Sequence, residues 1–308
     1  MSKIEKALNK ARSTGALRVV ARSEQSPEPP HQAAPAEKAI IPRLEQRVIS
    51  SSAISRMREK TLLDKNVLAQ NRIIYPELGE NATVRAFREI RTKILQKTQG
   101  ANCTIMVTSV TGHGGCSFVA LNLGAAFAFD AGKTALLMDC NFRNPSLQTL
   151  FTSEKTHGLT DYLEHPEMDI SNIIHSVGIE RLRVVPSGGR REIPAEYFTS
   201  ARMKELLDNI TRRYAERFII LDAPPMTETA DMRILAELCD YALLVVPYGK
   251  ATESQISACA KAIGDKKLLG VVFNNEPRLP DIQWRKIFTN PFGILLRNKT
   301  HHVSQSGK

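Results

Sequence analysis

The segment Val110-Thr111-Gly112-His113-Gly114-Gly115-Cys116-Ser117 carries the clearest chemical signal in the sequence. It follows an apolar run, Cys103 to Ser109, and leads into the helical pattern Phe118-Val119-Ala120-Leu121-Asn122-Leu123-Gly124. A strand, a glycine-rich turn and a helix in that order make a cradle for phosphate. The glycines let successive backbone N–H groups converge, and the helix N-terminus adds positive potential. A complete phosphate loop reads GxxxxGK[ST], its lysine neutralising the β/γ-phosphates and its hydroxyl holding magnesium. Here Gly115-Cys116-Ser117 stands in the GK[ST] place, so Ser117 keeps the hydroxyl while Cys116 supplies no charge. The candidate nucleotide contacts are Gly112, Gly114, Gly115, Cys116, Ser117 and Phe118. For this segment alone the bland alternative is a plain tight turn.

Two downstream segments add weight. Thr134-Ala135-Leu136-Leu137-Met138 ends in Asp139, and Arg217-Phe218-Ile219-Ile220-Leu221 ends in Asp222. Open α/β sheets gather ligand groups at the carboxyl ends of their strands. A carboxylate just beyond an apolar strand is rarely buried unpaired. Beside a phosphate loop, Asp139 and Asp222 suit magnesium coordination, together with Ser117, or activation of an attacking group. The alternative for each is a cap on the following turn.

The elements that must position these residues are legible. Strand candidates are 104–109, 134–138, 182–186, 217–221, 241–246 and 268–273, with stretches between them long enough for helices. Alternation of this kind predicts βαβ units and a mostly parallel sheet. The runs are apolar on both faces, as strands covered by helices on both sides require. Val84, Phe87, Ile90 and Ile94 mark a helix ahead of the first strand. Residues 1–14 read as a short helix, either solvent-exposed or a docking element for a partner or membrane surface. Residues 15–79 read as a largely disordered linker, with a transient helix in 50–70, and 291–308 as a flexible tail; the globular domain is expected at 80–290. The expected fold is thus α/β, P-loop NTPase-like, with helices on both faces and a disordered N-terminal extension.

The whole-chain properties exclude several classes. Among 308 residues there is no apolar run of membrane-spanning length, and the charged opening is not a secretory signal. Five widely spaced cysteines without a CxxC pair argue against zinc and a disulfide framework, and fit a reducing cytosol. The net charge of +10 favours anionic partners (phospholipid head groups, nucleic acid or acidic protein) without choosing among them.

The sequence resembles the bacterial tyrosine kinase family (the CpsD/CapB type and the cytoplasmic domain of Wzc), within the MinD/ParA-like P-loop ATPases. The resemblance covers about residues 80–290 and rests on AFREIRTKIL at 86–95, VTGHGGCSFVALNLG at 110–124, LLMDCNFRNPSLQTLF at 136–151, the run from IILDAPP to ALLVV, and LLGVVFNN. The opening MSKIEKALNKA also resembles exopolysaccharide-associated members. The resemblance implies ATP and magnesium as ligands, with Asp139 matching the first Walker A′ acid, Asp222 the Walker B aspartate and Ser117 the loop hydroxyl. Asp139 and Asp222 are the catalytic candidates. It also implies an inner-membrane polysaccharide co-polymerase (a Wzz-like chain-length protein) as partner, and a cytoplasmic chain held peripherally at the inner membrane. The helix with Arg85, Arg88 and Arg91 matches the family's homo-oligomerisation helix.

The departures are as informative. Cys116 replaces the loop lysine, Asn141 the second Walker A′ aspartate and Arg85 a glutamate; the last tyrosine is Tyr248, so no C-terminal tyrosine cluster follows. Losing a lysine that bridges a transferred phosphate removes roughly several kcal/mol of transition-state stabilisation. Arg143, Lys133 or a neighbouring subunit are the candidate replacement cations. Cys116 is expected to be a small-residue replacement in preference to a reactive thiol. The sequence therefore suggests a degenerate, tyrosine-kinase-like adaptor or regulator of exopolysaccharide (capsule) synthesis and export. The alternative is an active kinase or ATPase with a variant loop, acting on a partner in trans. A ParA-like DNA-associated ATPase ranks third, because Thr111 stands where those proteins carry an extra lysine. No nucleic-acid partner is expected.

Overall fold

The computed structural model describes residues 19–21, 62–147, 156–228 and 231–275. The sequence expectations for 1–14 and 291–308 lie outside the described residues. The strands are β1 (Val19–Ala21), β2 (Thr104–Ser109), β3 (Thr134–Asp139), β4 (His175–Ser176), β5 (Leu182–Val185), β6 (Arg217–Asp222), β7 (Tyr241–Pro247) and β8 (Leu268–Asn274). The helices are α1 (Lys65–Gln70), α2 (Ala82–Lys97), α3 (Cys116–Ala128), α4 (Leu159–Glu164), α5 (Pro194–Thr199), α6 (Ala201–Arg213), α7 (Met232–Leu238) and α8 (Glu253–Ile263). One sheet holds all the described strands in the order β1-β8-β7-β2-β6-β3-β5-β4. Its inner pairings are parallel, and the short outer strands β1 and β4 run antiparallel.

Two apolar layers form because alternate strand residues point to opposite faces. Ile105 and Val107, Ala135 and Leu137, and Phe218 and Ile220 face α2 and α3. Met106, Leu136 and Met138, and Ile219 and Leu221 face α6, α7 and α8. The α/β expectation of a mostly parallel sheet with helices on both faces is met. In α6, Met203, Leu206, Leu207 and Ile210 recur at helical spacing and are buried, Ser200 accepts a hydrogen bond from the N–H of Met203, and Arg212 and Arg213 occupy the last turn. By contrast α3 is buried along its whole length from Val119 to Ala128, as a helix between sheet and α2 must be.

The linker expected at 15–79 differs from the structure at two places. Residues 19–21 pair with β8 as an edge strand. Residues 62–79 are packed: Leu68, Ile73 and Ile74 are buried in the same layer as α2 and α3. The buried side chain of Asn122, in α3, fixes this strap. Its Oδ1 accepts from the N–H of Ile74 at 2.8 Å, and its Nδ2 donates to the carbonyls of Phe118 and Arg72 at 2.9 and 3.3 Å. The apolar residues that seat the strap are too few and irregular to show a period in the sequence, and their partner amide lies 48 residues away.

Candidate functional site: a phosphate loop without its cation

The carboxyl ends of β2, β3 and β6 lie side by side, and the loop 110–115 joins β2 to α3 above them. Two loop residues adopt left-handed backbone, His113 (φ 54°) and Gly115 (φ 80°). Gly115 is required twice over, by its φ and because the amide of Asn274 sits where a Cβ would project. That amide also anchors the loop, its Nδ2 donating to the Gly114 carbonyl at 2.9 Å. Asn274 ends β8 within LLGVVFNN, and nothing in the sequence marks it as the anchor of a loop 160 residues away.

Asp139 and Asp222 occupy paired positions on adjacent parallel strands. By strand alternation both point to the face covered by α3, just beneath its first turn. Asp139 is fully buried and accepts from three backbone N–H groups, those of Asn141 (3.0 Å), Ser146 (3.1 Å) and Leu147 (3.2 Å). Burial still lifts its carboxyl to about 6 against these donors. Asp222 reaches about 7, first through burial and then through the charge of Asp139, with Ser117 and Cys116 pulling the other way. Its Oδ2 is buried with no hydrogen-bond partner. Ser117 Oγ accepts from Ser146 Oγ at 3.2 Å, tying α3 to the loop after β3.

Cys116 does not face the loop. Its thiol turns down to the strand ends, 2.9 Å from the carbonyl of Val107 and 3.3 Å from that of Ala223. Burial, followed by the neighbouring Asp222, pushes it well above an ordinary thiol. It is a neutral plug over two carbonyls, which speaks against a reactive thiolate at this position. Phe118 is also turned away: its ring packs edge-on against Phe87 of α2, 5.9 Å between centroids, leaving only its backbone near the loop.

The two intrachain cations considered as replacements separate cleanly. Lys133 precedes β3, at the opposite end of the sheet; it donates to the Gly100 carbonyl at 2.7 Å and lies over the Phe218 ring. It cannot serve the loop. Arg143 follows β3 on the site's own side, with Nη2 4.0 Å from Asp231 and a buried Nε that has no hydrogen-bond partner. In the arginine-bearing helix α2, Arg85 is exposed, Arg88 pairs with Glu80 at 2.9 Å, and Arg91 is tied inward to the Ala126 carbonyl at 2.9 Å.

The unpartnered Oδ2 of Asp222 beside the Ser117 hydroxyl fits a magnesium ion, a hard cation that takes oxygen ligands and keeps several waters. Backbone amides of the loop fit phosphate. Together the sheet order, the glycine loop opening a buried helix and the paired strand-end carboxylates define the P-loop NTPase class.

No family model matches the sequence. Among individual proteins, the tyrosine-protein kinase YwqD of Bacillus subtilis is 33% identical over 193 residues, which are 62% of this chain and 80% of that protein. The tyrosine-protein kinase CpsD of Streptococcus pneumoniae is 33% identical over 173 residues, 55% of this chain and 74% of that protein. EpsB of Ralstonia solanacearum is 30% identical over 198 residues, but these are only 26% of its length. The chimerical protein CapA2B2 superposes with a TM-score of 0.58 at 27% identity, covering 70% of this chain and all of that one. The kinase domain of the Escherichia coli tyrosine kinase ETK gives a TM-score of 0.59 at 22% identity, covering 81% and 88% of the two chains, and shares the fold. This chain belongs to the bacterial tyrosine-protein kinase family. Among the described residues no helix is long and apolar enough to cross a membrane.

Proposed function

We propose that this chain is a family member whose phosphoryl transfer is disabled, and that it works as an adaptor or regulator in exopolysaccharide (capsule) synthesis and export, with weak or no ATP turnover. The observation that carries this reading is the neutral thiol of Cys116, bonded to the Val107 and Ala223 carbonyls where a lysine would reach the β/γ-phosphates. Phosphoryl transfer works by positioning and charge neutralisation, and a site without the loop lysine lacks one of the groups that supply that stabilisation. Nucleotide with magnesium would be held weakly, by the amides of 112–117 and by Ser117 and Asp222. The bound metal would supply charge neutralisation. Asp139, which accepts from three N–H groups, also shapes the loop after β3.

The pathway part of the reading draws on relatives named for capsule kinases and on the opening residues. Its partner is an inner-membrane polysaccharide co-polymerase, with residues 1–14 as the contact that holds the chain peripherally at the membrane. Deletion of 2–14 should release it; unchanged membrane association would exclude that contact. The catalytic part is tested by ATP turnover of the purified chain. Turnover abolished by Asp222→Asn would overturn the degenerate reading. Cys116→Lys should raise nucleotide affinity, since the rest of the loop is built.

A second reading, an active enzyme with a variant loop, is favoured by one observation: the Arg143 guanidinium stands on the site's side with its Nε buried and unbonded. In that case Arg143→Ala would abolish transfer of phosphate from ATP to a co-expressed membrane partner, and Arg143→Lys would keep part of it.

A further inference from the structure

The segment after β6 is fastened to the phosphate loop. The N–H of Ala223 donates to the Val107 carbonyl at 2.9 Å, and that of Met226 to the Ser109 carbonyl at 2.8 Å. Thr108 Oγ1 donates to the Pro224 carbonyl at 2.7 Å, and Thr227 Oγ1 to the Val110 carbonyl at 2.7 Å. The N–H of Glu228 closes the turn onto the Pro225 carbonyl at 3.2 Å. This ladder carries Glu228 to the face of the loop, where its Oε1 lies 2.5 Å from the place a Cβ on Gly112 would take. The hydrogen-bonded backbone thus brings a carboxylate oxygen against backbone that in this fold receives phosphate.

The surrounding charge does not offset it. Asp139 and Asp222 lie beneath the loop, and Cys116 is neutral. Arg143, the cation after β3, has Asp231 at 4.0 Å. A phosphate bound at the loop would lie near a like charge, which opposes binding more strongly than a charge in free solution because one side of the site is protein.

We propose that Glu228 is a specificity-determining residue that weakens the binding of free polyphosphates at the loop. The inference deepens the reading of a weakly binding site and rests on it only for the identity of the excluded ligand. The assay is calorimetric titration of the full chain with pyrophosphate and with ATP, at low and at high ionic strength, for wild type, Glu228→Gln, Glu228→Ala and Cys116→Lys. Glu228 is exposed, so neither of its variants removes a core contact. Both Glu228 variants should tighten pyrophosphate by about tenfold at low salt, with a smaller gain at high salt, as a Coulombic exclusion requires. Affinity unchanged within about twofold, or no binding by any variant at either salt, overturns the proposal. Tighter binding by Cys116→Lys alone would overturn it while leaving the lost cation as the cause of weak binding. Tighter binding by the Glu228 variants together with Asp222-dependent ATP turnover would support the exclusion and overturn the degenerate reading.

Discussion

Replacing Asp222 by asparagine should make the metal-free protein more stable at alkaline pH. The Asp222 carboxyl is raised from 3.8 to about 7, chiefly by burial and then by Asp139. The native state therefore holds that proton more tightly than the unfolded chain. Its stabilising contribution is complete below about pH 4 and is lost as pH rises through about 7. Between about pH 5.5 and about pH 8 the loss accumulates at about 1.4 kcal/mol per pH unit until the folded-state value is passed, about 2 kcal/mol in all. Asparagine keeps the shape and does not titrate. It also spares Asp139 a like-charged neighbour. Urea denaturation in a chelator, at both pH values, should thus show wild type losing about 2 kcal/mol relative to Asp222→Asn, equivalent to about 4–8 °C in Tm for a domain of this size. Parallel pH slopes for the two proteins would refute the reasoning, because they would mean that Asp222 is ionised in the native state at both pH values. Magnesium should remove the difference in wild type if it binds the unpartnered Oδ2, by pairing the charge that burial leaves exposed to repulsion.

Asn122→Ala should destabilise the domain by about 1–3 kcal/mol, because it leaves the buried N–H of Ile74 without an acceptor, and hydrogen exchange should rise first in residues 72–75. Lys133→Ala should leave nucleotide affinity unchanged, since Lys133 is committed to the Gly100 carbonyl and the Phe218 ring at the far end of the sheet; weakened binding would place it at the site after all. Iodoacetamide at neutral pH should label Cys116 slowly in the native protein, and rapid stoichiometric modification would contradict the raised thiol. Glu164 is held near 2 first by its hydrogen bonds from Arg191, at 2.6 and 2.7 Å, so its lowered carboxyl adds stability above about pH 4.5 that is lost as pH falls toward about 2. Glu164→Gln should accordingly lower Tm at neutral pH and converge with wild type in acid; for a pair this exposed the neutral-pH cost is about 1 kcal/mol or less.

The sequence by itself determined the six inner strands of the sheet, though not the edge strands β1 and β4, and marked the address of the candidate site. Uninterrupted apolar runs mark strands buried on both faces, and alternation with helical stretches leaves a parallel sheet as the arrangement that can bury them, so 104–109, 134–138 and 217–221 are legible as strands, and the structure extends the last two by one residue each, to Asp139 and Asp222. A glycine loop and two strand-end aspartates are local signals, and the sheet register then puts the two aspartates side by side. Only the tertiary structure decided what those residues face. Cys116 reads in sequence as a missing charge; in space it is a plug bonded to two strand carbonyls, one of them 107 residues away. Lys133 and Arg143 look like equivalent cations in sequence, but β3 separates them by its own length and sends them to opposite ends of the sheet. The strap at 62–79 and the carboxylate of Glu228 had no legible period or motif, because each is placed by hydrogen bonds to backbone, and a backbone carbonyl or N–H carries no side-chain identity for the sequence to display.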